Sequence, residues 1–62
     1  MRLLMKVVPL NQQYYWVIYR TAGSIVEVSA GLPDSTTATE EGTNRLLILK
    51  QIYKVMFPDG IY

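Results

Sequence analysis

The sequence predicts an α+β fold in which a three-stranded antiparallel β-meander packs against one C-terminal α-helix (βββα). Three segments rich in β-branched and aromatic residues precede one long segment whose apolar residues repeat with a helical period. Short turn signals separate the three segments, which favours antiparallel pairing between neighbours in the chain. A length of 62 residues allows a single small domain, residues 1–62.

The first two strands are expected at about residues 2–8 and 14–20. Pro9 should stop the first strand, because proline cannot donate a hydrogen bond to a sheet. Residues 10–13 should connect the two strands, with Asn11 favouring a turn. The second strand carries aromatic and β-branched residues on both faces, which is typical of a central strand covered on both sides.

The third strand is expected at about residues 25–30, after a tight turn at Gly23, which can adopt a positive φ at little cost. Its apolar and polar residues alternate, which is typical of a strand with one face in water. The core-facing positions are then Val26, Val28 and Ala30, and the solvent-facing positions are Ile25, Glu27 and Ser29.

The C-terminal helix is expected at about residues 37–57. Thr37 and Glu40 have the spacing of a capping box, in which hydroxyl and carboxylate bond reciprocally to backbone amides at the helix start. Gly42 argues against this start, because glycine in a helix interior costs about 1 kcal/mol relative to alanine. A start near Thr43 is therefore the alternative.

The apolar residues of this helix form an arc of about 180–200°, wider than the roughly 100° that a surface helix needs. One stripe consists of Leu46, Leu49, Tyr53 and Met56, and a second stripe beside it consists of Ile48, Ile52 and Val55. Leu47 lies on the opposite, polar face. Two interpretations stay open: the whole arc covers the sheet, or part of it meets a second chain.

The composition limits the classes of function. Histidine and cysteine are both absent, which removes the usual catalytic bases, nucleophiles and zinc ligands. The formal net charge of +1 gives no strong attraction to nucleic acid or to an anionic membrane. We therefore expect no enzyme activity, no catalytic residues, no cofactor, no metal and no membrane association. A cytoplasmic location, in a bacterial cell or an infected host cell, is compatible with the lack of cysteine.

The second face of the sheet should carry an apolar and aromatic surface, and such patches often mark interaction sites. In one choice of register this face holds Tyr15, Val17 and Tyr19 from the middle strand with Leu4, Lys6 and Ile25 from its neighbours. Our candidate interaction residues are Lys6, Tyr15, Val17, Tyr19, Arg20 and Leu47.

The leading interpretation is a non-catalytic protein-interaction module that forms a homodimer, or that binds and inhibits or adapts a larger protein. Compact proteins of this size are common in phages and mobile elements. The alternative is a nucleic-acid-binding domain that uses the three-stranded sheet as a stacking platform. That alternative expects Lys6, Tyr15, Tyr19 and Arg20 to share one exposed face.

Two resemblances accompany these interpretations. The strand at Tyr14-Tyr15, the glycine turn, the next strand and the Ala/Glu-containing helix entry resemble the arm-binding domains of phage tyrosine recombinases, which place a sheet in the DNA major groove. That resemblance implies DNA binding, with Arg2, Lys6 and Arg20 as the basic residues. The stretch is also similar in outline to the YegP-like domain, a small dimeric module. The residues that carry this second similarity are Ile18, Tyr19, Gly23, Ser29, Ala38 and Gly42.

Overall fold

The computed structural model describes residues 2–60 and confirms the βββα fold. Its elements are β1 (Leu3–Leu10), β2 (Gln13–Arg20), β3 (Ile25–Val28) and α1 (Ser35–Met56). The three strands form one antiparallel sheet in the order β1-β2-β3, so β2 is the central strand, as expected. The expected domain, residues 1–62, extends beyond the described residues at both ends.

β1 and β2 form a hairpin with a two-residue turn. Asn11 and Gln12 both have positive φ, 52° and 63°, which matches the turn type whose twist fits a hairpin. Pro9 lies inside β1, so the expectation that it stops the strand is wrong. In such a hairpin the flanking residues, Leu10 and Gln13, exchange backbone hydrogen bonds, so the nitrogen of Pro9 points away from β2. The missing N–H therefore removes no bond between the two strands.

β3 is shorter than expected because its pairing with β2 is irregular. A register shift between Ile18 and Tyr19 leaves Val26 as an extra residue, which is a β-bulge. Val26 packs against the core as expected. Beyond the bulge the alternation is displaced: Glu27 turns toward α1, while Val28 is 50% exposed. The expected facing of these last two residues is therefore wrong.

The chain continues beside β2 after β3 ends. The hydroxyl oxygen of Ser29 accepts a hydrogen bond from the Trp16 amide at 3.0 Å. Tyr14 and Leu32 exchange two backbone hydrogen bonds, both at 2.9 Å. Ala30 between them is exposed, so its expected place in the core is also wrong.

α1 packs over β1 and β2 and covers one face of the sheet. The buried core cluster consists of Leu3, Trp16, Ile18 and Leu49. The partly buried residues packed against it are Met5, Val26, Leu32, Leu46 and Tyr53. The helix therefore covers the face of β2 that carries Trp16 and Ile18.

α1 begins two residues before the expected position. Asp34 is the N-cap, and its Oδ1 accepts a hydrogen bond from the Thr37 amide at 2.7 Å. The expected capping box of Thr37 and Glu40 is therefore wrong, as is the alternative start near Thr43. The hydrogen bond from the Thr37 backbone holds the pKa of Asp34 below its ordinary value.

Gly42 lies where α1 approaches the sheet most closely. A Cβ atom at this position would stand 2.7 Å from Trp16 Cβ and 3.0 Å from Met5 Sδ. Both distances are shorter than ordinary van der Waals contact. The glycine that weakens the helix locally is therefore the residue that allows the helix to sit against β1 and β2.

We expect Gly42→Ala to lower the free energy of unfolding by up to about 2 kcal/mol. Overpacking against Trp16 costs about 1–3 kcal/mol, and the gain of about 1 kcal/mol in helix propensity offsets only part of that cost over most of this range. Urea denaturation followed by circular dichroism measures the difference. The control is Asn44→Ala at an exposed position of the same helix, where propensity alone should raise stability. An equal gain in both variants would contradict the packing argument.

We expect Asp34→Ala to lower the urea midpoint, and Asp34→Asn to retain most of it, because an amide oxygen can accept the same bond. The folded pKa of Asp34 is depressed, so its stabilisation is present at neutral pH and disappears as pH falls through the folded pKa. The difference between wild type and Asp34→Ala should therefore shrink below about pH 4. Indistinguishable midpoints at pH 7 would show that Asp34 does not cap α1.

Candidate interaction surfaces

The face of the sheet opposite α1 is not covered by any element within residues 2–60; we call it the open face. Its side chains are Leu4, Lys6 and Val8 of β1, Tyr15, Val17 and Tyr19 of β2, and Ile25 and Val28 of β3. The strand register aligns them in rows, with Lys6 beside Val17 and Val17 beside Val28. The residues expected on this face are therefore there, in the expected register.

The open face is apolar and aromatic, with a lysine near its centre. Val17 is only 8% exposed, because the side chains around it shield it. The Lys6 ammonium lies 5.2 Å from the centroid of the Tyr19 ring, within the range of a cation–π interaction. The Tyr15 hydroxyl donates to Gln13 Oε1 at 3.1 Å. The rings of Tyr15 and Tyr19 are thus partly accessible on this face, with the Tyr15 hydroxyl bonded to Gln13 and the Lys6 ammonium beside the Tyr19 ring.

Arg20 lies on the face that α1 covers, so the expectation that it shares a face with Lys6, Tyr15 and Tyr19 is wrong. Its Nη2 donates to the Tyr53 hydroxyl at 3.2 Å, and its guanidinium carbon lies 6.0 Å from the centroid of the Tyr53 ring. Its Nε is buried and has no hydrogen-bond partner among the described residues. Arg20 therefore joins the end of β2 to α1 instead of extending the open face.

The apolar arc of α1 is split between the core and solvent. Leu46, Leu49 and Tyr53 pack against the sheet, whereas Met56, expected in the same stripe, is exposed. The second stripe, Ile48, Ile52 and Val55, is exposed as well, with Val55 at 82%. We call these last three residues the helix stripe. Together with Gln51 and Met56 they line a shallow, open apolar depression between side chains of α1 alone, which we call the groove.

An ion pair shows which way the helix stripe is turned. Arg45 on α1 donates through two nitrogens to the carboxylate of Glu27 on β3, with Nη2 at 2.9 Å from Oε2. The side-chain hydrogen bond from Arg45 holds the pKa of Glu27 below its ordinary value. At about 100° per residue, Ile48 and Ile52 project from the same side of α1 as Arg45. The helix stripe is therefore turned toward the β3 side of the molecule.

Leu47 is 55% exposed and lies on α1 outside the helix stripe and its groove. The structure thus separates the candidate residues into three places. Lys6, Tyr15, Val17 and Tyr19 share the open face, Arg20 joins the core, and Leu47 stands alone on the far side of the helix. Leu47 became a candidate because it is an apolar residue on the polar face of α1. The excess width of the apolar arc was the stronger sign of an exposed apolar surface, because it corresponds to the helix stripe.

Within residues 2–60, no three side chains of the histidine, cysteine, aspartate or glutamate types cluster as a metal site would require. The same residues contain no helix that combines the length and the apolar character of a bilayer-crossing segment.

Comparison with known protein families, with characterised proteins and with solved structures finds no match to this chain. The resemblances to recombinase arm-binding domains and to the YegP-like domain therefore stay predictions.

Proposed function

We propose that this chain is a non-catalytic protein-interaction module that self-associates and that binds a larger protein, which it inhibits or adapts. The observation that carries this proposal is the exposure of the helix stripe. Ile48, Ile52 and Val55 follow one another at intervals of four and three residues, which is how one helix presents an apolar seam to another. The proposed occupant of the groove is an amphipathic helix of the larger protein.

The groove itself defines the chemistry of that occupant. The side chains that line it within the segment 48–56 of α1 are Ile48, Gln51, Ile52, Val55 and Met56; Gln51 is the one polar side chain among them, and none of the five is charged. At about 1.5 Å per residue this segment is about 12 Å long, which matches roughly two turns of a partner helix. An uncharged apolar surface of this length favours leucine, isoleucine or phenylalanine anchors and gives no attraction to an acidic or basic peptide.

The acidic residues of the chain support a binding role over a catalytic one. Three of the five have structural partners: Glu27 pairs with Arg45, Asp34 caps α1, and Glu41 Oε1 accepts from the Trp16 indole at 3.3 Å. Acid–base catalysis by a pair of carboxylates needs two such groups that face one substrate. The proposal includes a phage or mobile-element origin and action in the cytoplasm, with which the lack of cysteine is compatible.

Site-specific photo-crosslinking tests this proposal and requires no candidate partner. We expect benzoylphenylalanine in place of Ile52 to give a discrete adduct with a larger protein in cells that express the chain. The matched control carries the same group in place of Leu47, which is also an exposed apolar residue of α1 but lies outside the groove. Its adduct should be absent or much weaker.

The adduct masses decide between the outcomes. No adduct at Ile52, or equal yields at both positions, would remove the helix stripe as a binding site. An adduct with a mass of twice 7.1 kDa would identify the occupant as a second copy and would contradict the larger partner.

A second candidate function, nucleic-acid binding through the open face, is favoured by one observation. The Lys6 ammonium stands over the Tyr19 ring on the same face as Tyr15, which combines a cation with aromatic stacking surfaces. The position of Arg20 on the other face weakens this candidate, because phosphate contacts supply most non-specific affinity.

Fluorescence anisotropy with labelled single-stranded DNA and RNA separates the two candidates. Nucleic-acid binding requires an affinity that falls steeply between about 50 and 200 mM salt and that is lost in Tyr19→Ala. The protein-interaction proposal expects no change in anisotropy at the lower salt concentration. Salt-sensitive binding that Tyr19→Ala abolishes would put the second candidate first.

A further inference from the structure

The outer edge of β1 presents a row of unpaired backbone groups. β1 pairs only with β2, and its hydrogen-bonded positions toward β2 are Leu4, Lys6, Val8 and Leu10. The backbone N–H groups of Leu3, Met5 and Val7 therefore point away from β2, outward in the plane of the sheet. No hydrogen bond among residues 2–60 engages these three donors. Such an edge is a template for pairing with another strand.

The other edge of the sheet is protected in ways that β1 is not. β3 has four residues against eight in β1, and the bulge at Val26 interrupts its register. Short edge strands and bulges are devices that prevent edge-to-edge pairing. β1 pairs with β2 in one continuous register, and its proline lies near one end. The two edges therefore differ, and β1 is the one open to a partner strand.

We propose that two copies of this chain associate through antiparallel pairing of their β1 edges, which joins the two sheets into one continuous sheet. This inference depends on the self-association included in the proposed function and names its interface. A twofold axis relates the copies, so each contributes the same surface.

The pairing is centred on Met5. Leu3 of one copy then exchanges backbone hydrogen bonds with Val7 of the second copy, and Met5 does so with Met5. Every outward N–H of β1 between these residues thus finds an acceptor. On the open face, Lys6 lies opposite Leu4 of the second copy, so no two cations are paired directly.

The neighbouring registers of β1 pairing are less favourable, because each places like charges or a proline at an unsuitable position. A pairing centred on Lys6 sets the two lysines directly opposite each other, and one centred on Leu4 sets Lys6 opposite Arg2 of the second copy; like charges in these positions destabilise a sheet. A pairing centred on Val7 brings Pro9 opposite an outward amide and offers no donor in return. The Met5-centred register avoids all three defects.

Side-chain burial favours the same interface. Leu4, Met5, Val7 and Val8 are only half-buried in one copy, and a second β1 at about 4.8 Å would cover them. The helix stripe is turned toward β3 and so stays free for the larger protein.

Disulfide trapping tests the register, and the chain has no cysteine of its own. Positions 4 and 6 face each other across the proposed interface at a Cα separation of about 4.5 Å, which a disulfide can bridge. Leu4→Cys and Lys6→Cys proteins, mixed and oxidised, should give a cross-linked heterodimer, and neither should cross-link efficiently alone. Cross-linking of Lys6→Cys alone would indicate the Lys6-centred register and overturn ours, as would no cross-linking in the mixture.

Molar mass by light scattering tests the edge itself. Wild type and Val7→Thr should have twice the mass of 7.1 kDa, and Val7→Pro should be a monomer with an unchanged circular dichroism spectrum. Proline at this position removes an N–H that points away from β2, as Pro9 already does in β1. A folded Val7→Pro dimer would overturn the interface.

A monomeric wild type would overturn the inference as well. If such a monomer still formed an adduct at Ile52 with a larger protein, the protein-binding proposal would stand although the β1 interface had failed. The failure of the β1 interface can therefore be told from the failure of the protein-binding proposal.

Discussion

The close contact between Gly42 of α1 and Trp16 of β2 determines which surfaces of this chain are buried and which stay exposed. A single helix can cover one face of two strands, and at Gly42 the lack of a side chain lets it lie directly on β1 and β2. The opposite side of β2 is then left without cover. The rotation of α1 about this contact also turns Ile48 and Ile52 to the β3 side, where both stay exposed.

The fold was predictable because two periodicities in the sequence report directly on backbone geometry. The alternation of apolar residues along the strands, and their repeat of about 3.6 residues along the helix, can be recognised even when the ends of the elements are misplaced by a few residues. The ends themselves depend on single hydrogen bonds. Asp34 caps α1 instead of Thr37, and Pro9 fits in β1 only because its nitrogen points outward, which the register alone decides. The bulge at Val26 leaves no periodic signal, since it is an interruption of the period.

The sequence predicted the apolar character of the exposed surfaces better than it predicted where those surfaces lie on the fold. The pattern required too many apolar residues for one core, and both the open face and the helix stripe hold that excess. Which face of β2 the helix covers was undecided in the sequence, because both are apolar. Arg20 shows the limit clearly. The alternation of side chains along β2 already places Arg20 on the face of Trp16 and Ile18. Its position next to Tyr19 in the sequence nevertheless suggested a patch shared by basic and aromatic residues. In the structure, the hydrogen bond to Tyr53 holds Arg20 against α1.

The two proposed interactions are compatible because they use different sides of the same two-layer architecture. Pairing through β1 extends the sheet in its plane and uses backbone groups whose hydrogen bonds depend little on side-chain identity. The helix stripe lies above the sheet on the β3 side and depends on the shape of isoleucine and valine side chains. A twofold axis at β1 would place the two stripes at the outer ends of the assembly, so that one dimer could hold two partner helices. A single chain of this size has little core to stabilise it, and the added strand pairing would stabilise the scaffold on which both stripes are presented.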